Sequence, residues 1–119
     1  MKKEVEELEI YKEYLNFIFY IEMITEKYPK CSKDGLVASI KTNLYDGLKD
    51  IIEAYRVFPK NDKLMYLNKL DVELKMLKVF ARVSYKKKYI NIKNYEAWSR
   101  KINNVGRYLG GWLNSCLKQ

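Results

Sequence analysis

Residues 95–116 carry one unbroken apolar stripe, and its spacing constrains the fold more than any other feature of the chain. Successive members are 3, 4, 3, 4, 3 and 4 residues apart, as on one face of a long α-helix. They are Tyr95, Trp98, Ile102, Val105, Leu109, Trp112 and Cys116. Gly106, Gly110 and Gly111 lie inside this helix, although each costs about 1 kcal/mol relative to alanine. We therefore expect some other surface to approach this helix closely.

Three further helices are predicted from similar stripes and from two aromatic-Pro-Lys turns, at 28–30 and 58–60. Proline removes an amide donor and disfavours a helical conformation in the preceding residue, so it ends a helix. The predicted helices cover about residues 4–27, 32–57 and 62–86, and the fourth starts after Asn91, a suitable N-cap. A chain of 119 residues with 48% hydrophobic side chains is long enough for one core. We predict a single all-α domain, residues 1–119, folded as an up-down-up-down four-helix bundle.

The third helix is apolar on two nearly opposite sides. One stripe consists of Leu67, Leu70, Leu74, Leu77 and Ala81, and the other of Met65, Val72, Met76, Val79 and Val83. A bundle of this size needs only one buried face per helix, and the first helix is also apolar nearly all round between Phe17 and Ile24. We interpret the second stripe as a subunit interface. The alternative is that Phe80 and neighbouring aromatic residues simply widen the core.

Basic residues are concentrated in the second half of the chain. Residues 74–119 contain eleven Lys or Arg and one acid, Glu96, in a chain whose net charge is +8. We define the basic surface as Lys75, Lys78, Arg82, Lys86, Lys87, Lys88, Arg100 and Arg107. Charge of one sign attracts phosphates without sequence preference and in a salt-sensitive way, so this surface predicts binding to a polyanion. The alternative is an ordinary solvated face, since 19 of the 23 basic residues are lysine.

Catalysis has little support in the sequence. Histidine is absent and only two cysteines are present, which removes the usual general base and any structural zinc site. Asp46 and Asp50 are one helical turn apart, but we interpret them as solvated charge rather than a cation site. We expect no catalytic residues, no metal and no cofactor; a small enzyme that uses tyrosine, lysine and carboxylates is the remaining catalytic alternative.

The apolar segments of the chain bear on its location in the cell, because none of them is long enough to be a transmembrane helix. The longest apolar stretch, residues 15–24, is interrupted by Asn16 and Glu22, and it is too short to cross a bilayer. The first residues do not resemble a signal peptide. We expect a cytoplasmic protein that does not associate with membranes.

Several segments together resemble a known family. They are Tyr28-Pro29-Lys30, residues 74–82, Ile90-Asn91 with Tyr95, and above all Val105-Gly-Arg-Tyr-Leu-Gly-Gly-Trp112. This combination, over about residues 11–117, is similar to the Avd family, the four-helix-bundle accessory variability determinants of bacterial diversity-generating retroelements. It is similar also to the bundle proteins encoded in intervening sequences of bacterial large-subunit ribosomal RNA genes.

The resemblance implies a homopentameric ring that binds RNA or single-stranded nucleic acid and a reverse transcriptase, and that supports mutagenic copying of a template RNA without an active site of its own. The family's basic surface carries over to Lys75, Lys78, Arg82 and Arg107, whereas the role of residues 86–88 depends on charge alone. The alternative is an oligomeric helical adaptor of the ribosomal RNA intervening-sequence type, which binds protein or RNA without a reverse transcriptase.

Overall fold

Four long helices form the protein, for which a computed structural model describes residues 4–118. They are α1 (Glu9–Thr25), α2 (Ala38–Arg56), α3 (Lys60–Lys86) and α4 (Ile92–Leu117). Residues 4–118 contain no β-strand, so the all-α prediction is confirmed. The well-packed helix pairs are α1 with α2, α2 with α3, α3 with α4 and α4 with α1. This cycle is that of a four-helix bundle in which α1 and α3 lie on one diagonal.

The predicted helix boundaries were wrong at two places. The first helix is shorter than 4–27, because Val5–Glu7 forms a separate 3₁₀ turn and Leu8 has extended backbone angles before α1 begins. The second α-helix starts at Ala38 rather than near Ser32, after a 3₁₀ turn at Lys30–Ser32 and a π-helical turn at Lys33–Val37. That wider turn contains Gly35, a poor helix former.

The core consists of the apolar stripes that the spacing predicted. Residues on every helix contribute fully or almost fully buried side chains: Ile10, Tyr14, Phe17 and Ile21 on α1; Ile40, Leu44, Ile51 and Ala54 on α2; Leu67, Leu70, Leu74, Leu77 and Ala81 on α3; and Trp98, Ile102, Val105, Leu109 and Cys116 on α4. The N-cap prediction is confirmed as well. The Asn91 side-chain oxygen accepts a hydrogen bond from the Asn94 amide at 2.8 Å, as part of a capping box.

Gly47 on α2 allows a close helix approach, because the Tyr14 ring from α1 lies directly over its backbone. A Cβ at residue 47 would overlap the Tyr14 hydroxyl oxygen. That hydroxyl donates a hydrogen bond to the Leu44 carbonyl oxygen at 2.6 Å. Burial raises the pKa of Tyr14 well above its ordinary value, which keeps the donor protonated. Gly47 therefore allows α1 and α2 to share a buried polar contact.

The glycines of α4 do not have the close neighbour that the sequence led us to expect. A Cβ added at Gly106, Gly110 or Gly111 would meet nothing within 4 Å, apart from α4's own nearby backbone. Residues 4–118 of a single chain do not supply that neighbour, because α4 packs into the bundle through the side that carries Trp98, whereas Gly111 is exposed. Approach by a neighbouring subunit stays a prediction. Trp112 at the end of the stripe is only half-buried.

Candidate nucleic-acid interface

The basic surface extends along α3, through the turn after it and onto α4. All eight of its residues are exposed: Lys75, Lys78, Arg82 and Lys86 on α3, Lys87 and Lys88 in the turn, and Arg100 and Arg107 on α4. The positions of the four α3 residues follow the helical repeat, so they form one ridge beside the apolar stripes. Exposed ammonium and guanidinium groups can meet an external anion without loss of core packing.

Most of these cations have no partner in the described part of the chain. Lys75 is the one residue of the basic surface that forms an ion pair within residues 4–118, since its Nζ is 2.7 Å from Asp71 Oδ2. The Arg107 guanidinium lies over the Tyr108 ring, 5.6 Å from its centroid. Among residues 4–118, none of the other six side chains has a hydrogen bond or an ion pair. Their charge is therefore available to bind phosphate.

An aromatic cleft lies at the corner where α3 ends and α4 begins. It has a volume of about 430 Å³ and is lined by Arg82, Tyr85, Lys86, Lys88, Ile90 and Tyr95. The Tyr85 and Tyr95 ring centroids are 5.3 Å apart and the rings are tilted by 38°. Sequence reasoning placed Tyr95 on the core stripe and did not single out Tyr85. The signal available was the run of three lysines between two tyrosines over residues 85–89.

The second apolar stripe of α3 is exposed in the single chain. Val72 is 60% exposed, and Met65, Met76 and Val79 are also exposed, whereas Val83 is half-buried. On α1, Phe19 and Met23 are 64% and 56% exposed. The described chain itself therefore leaves apolar surface uncovered on two diagonally opposed helices.

The interpretation of Asp50 as solvated charge was wrong. Asp50 is only 5% exposed, and it faces Glu73 on α3 across a polar cleft of about 290 Å³. Burial, followed by hydrogen bonding and charge repulsion from Asp50, raises the pKa of Glu73 to about 8. When both carboxyl groups are ionised, Asp50 Oδ2 and Glu73 Oε1 accept no hydrogen bond from residues 4–118. A protonated Glu73 has a hydroxyl group that can donate a hydrogen bond to Asp50.

The sequence held a signal for this pair. Asp50 follows Gly47 by three residues and precedes Ala54 by four, so it occupies the core spacing of α2. Glu73 has the same relation to Leu70 and Leu77 on α3.

Within residues 4–118, no group of three or more acidic or cysteine side chains is arranged to hold a metal ion.

The fold and this surface define a class: an all-α four-helix bundle with exposed basic residues on α3, on the turn after it and on α4. No helix in residues 4–118 is long and apolar enough to cross a membrane. The bAvd-like family profile matches residues 8–116, and the chain belongs to that family. No curated protein matches the chain. Family membership confirms the resemblance to the Avd family that was predicted from several segments over about residues 11–117.

Proposed function

We propose that this chain is a cytoplasmic, non-enzymatic accessory protein of a diversity-generating retroelement. In this proposal it binds the retroelement reverse transcriptase and template RNA through its basic surface, and so supports mutagenic reverse transcription. Membership of the bAvd-like family supports the retroelement setting. The absence of histidine supports an accessory role rather than a catalytic one.

The observation that carries the proposal is the unpaired charge of the basic surface. Seven of its eight residues have no carboxylate partner within residues 4–118, Lys75 being the exception. Solvating charge is normally mixed in sign, as it is on α1, where Lys12 pairs with Glu9. Unpaired exposed cations on two neighbouring helices attract the phosphates of a nucleic-acid backbone.

We further propose that the protein assembles into a ring of identical subunits, most simply the pentamer that the family resemblance implies. Phe19 and Met23 on α1 and the second apolar stripe of α3 are exposed, and these two helices are diagonal in the bundle. If the α3 stripe of one subunit covers the α1 stripe of the next, the contact is heterologous, and such contacts close into rings when the rotation allows. A ring also repeats the basic surface and increases binding to a long RNA through avidity.

The ring is tested with Val72→Glu and Val79→Glu in one variant. Two carboxylates at a buried contact leave uncompensated charge there, so the variant should be monomeric or insoluble. Because both valines are exposed in the single chain, the helical spectrum of any soluble variant should be unchanged. Light scattering that reports a monomer for the native chain at micromolar concentration would contradict the ring.

The function is tested by titrating labelled single-stranded RNA at two salt concentrations. A variant with Lys75→Glu, Lys78→Glu and Arg82→Glu should bind more weakly, and each phosphate contact that is lost should reduce the log-log salt slope by about 0.7. The control carries the same charge change on exposed lysines at the opposite end of the bundle: Lys12→Glu, Lys60→Glu and Lys118→Glu. It should keep most of the native affinity.

Two results would reject this function. Equal binding by the ridge variant and the native chain, or no RNA binding by either at low salt, would favour an adaptor that binds only protein. The reverse transcriptase is tested separately. A reverse transcriptase encoded beside the gene should co-purify with the native chain, and its absence from the gene neighbourhood would remove the retroelement assignment.

A further inference from the structure

We propose that the cleft at the α3–α4 corner is a subsite for one unpaired nucleotide of single-stranded RNA, in which the base stacks on Tyr85 and Tyr95 and the flanking phosphates contact Arg82, Lys86 and Lys88. The subsite extends the proposed RNA-binding function and depends on it. It adds aromatic readout of the base to a surface that otherwise attracts only phosphate.

The aromatic half of the cleft has the shape that base stacking requires. Tyr85 is 43% exposed, so a ring face is accessible, and Tyr95 is close enough to support it from α4. Ile90 is buried beneath them and provides an apolar floor. Exposed aromatic rings beside cations are the usual platform for single-stranded nucleic acid, because every base has a π-face and stacking tolerates any sequence.

The charged side chains that line the cleft are all basic, and they form no ion pair within residues 4–118. Arg82, Lys86 and Lys88 line the cleft, and none of them has a hydrogen bond or ion pair with residues 4–118 through its side chain. No acidic side chain lines it. An anion with an apolar, planar group attached fits both halves at once, and a nucleotide of single-stranded RNA has that chemistry.

The backbone at Lys88 gives an independent reason to assign a role to the cleft. The α3 C-terminus ends with hydrogen bonds from the Tyr89 amide to the Ser84 carbonyl and from the Lys88 amide to the Tyr85 carbonyl, both 2.9 Å. This is the pattern of a Schellman motif, in which the left-handed residue is usually glycine. Here that residue is Lys88, with φ of 65°. A lysine at this unfavourable backbone position is explained if its ammonium group binds a phosphate of the nucleotide in the cleft.

A second aromatic and basic cleft, at the α2–α3 corner, fits the role less well. It is lined by Arg56, Phe58, Lys60 and Lys63 among others. Arg56 is paired with Glu53 at 2.8 Å, and Lys63 Nζ donates to the Ala54 carbonyl at 2.7 Å. These cations are engaged by the protein itself. The cleft at the α2–α3 corner is therefore a matched control for the cleft at the α3–α4 corner.

The test compares two short probes of equal length and charge: an oligouridine and an abasic ribose-phosphate oligomer. The native chain should bind oligouridine at least about 5-fold more tightly, because stacking stabilises by about 1–3 kcal/mol per base. Tyr85→Leu should remove this preference and leave the salt slope unchanged. Phe58→Leu, which removes an exposed ring at the other corner, should keep the preference.

Lys88→Gly separates binding from folding. Glycine suits the left-handed backbone, so the variant should unfold at a higher temperature than the native chain, yet it should bind both probes more weakly and with a salt slope reduced by about 0.7. Equal affinity of the native chain for the two probes, or loss of the preference in Phe58→Leu but not in Tyr85→Leu, would overturn the subsite while leaving phosphate binding intact. Binding of neither probe at low salt would overturn the proposed function as well.

Discussion

Replacing Gly47 by alanine should destabilise the bundle, although alanine is the better helix former. Residue 47 lies in the middle of α2, where the change would gain about 1 kcal/mol if space were available. A Cβ there would overlap the Tyr14 hydroxyl oxygen and lie 2.7 Å from Tyr14 Cζ. The Tyr14 side chain is fully buried, so close packing leaves it no room to move aside.

The expected loss has two contributions, both from displacement of the Tyr14 ring. The hydroxyl would lose its 2.6 Å hydrogen bond to the Leu44 carbonyl, and a buried polar group without a partner costs about 1–3 kcal/mol. Extra volume in a close-packed core costs about 1–3 kcal/mol. After the gain in helix propensity, the free energy of unfolding should fall by about 1–5 kcal/mol, with a central value of about 3 kcal/mol. The midpoint temperature should fall on the order of 10 °C.

Urea unfolding followed by far-ultraviolet circular dichroism measures this change. The matched control is Gly106→Ala on α4, where the added Cβ would meet nothing within 4 Å and stability should rise by up to about 1 kcal/mol. A Gly47→Ala protein as stable as the native chain would refute the close packing of α1 on α2. A destabilised Gly106→Ala protein would instead place a neighbouring subunit against α4.

Two further predictions concern the core and the buried acids. Trp98 is fully buried and Trp112 half-buried, so Trp98→Ala should cost about 3–5 kcal/mol in unfolding free energy. Trp112→Ala should cost roughly half as much, and equal losses by denaturant unfolding would contradict the burial. The raised pKa of Glu73, about 8, means that the folded chain keeps a proton that the unfolded chain releases above its ordinary pKa. Stability should therefore fall as pH rises from about 4.5 towards 8, by about 1–2 kcal/mol after allowance for the partial exposure of Glu73. Glu73→Gln should flatten that slope, and an unchanged slope in unfolding experiments across this range would exclude Glu73 as its source.

Much of the fold could be predicted from the sequence because helical periodicity and burial are directly linked. The stripes on all four helices and the Asn91 cap are local patterns, and the structure confirms them. The helix starts near Leu8 and residues 33–37 could not be predicted in the same way, since they depend on short turns with weak propensities.

The candidate site divides along similar lines. The basic surface could be identified from charge alone, and all eight of its residues are exposed in the structure. The tyrosine cleft could not be identified, because Tyr85 and Tyr95 meet only when the end of α3 is folded against the start of α4. The Asp50 and Glu73 pair was missed for the same reason, as its two members lie on different helices.

Photo-crosslinking of bound RNA tests the central claim most directly, because it locates the nucleic acid on the protein. A uridine-containing single-stranded RNA is bound to the native chain at low salt and irradiated, and the crosslinked peptides are identified by mass spectrometry. The crosslinks should fall within residues 75–107, with Tyr85 and Tyr95 among the modified residues and with loss of the signal at high salt. Crosslinks confined to α1 and α2, or no crosslinks under conditions in which RNA binding is detected, would contradict the assignment of the basic surface as the nucleic-acid interface.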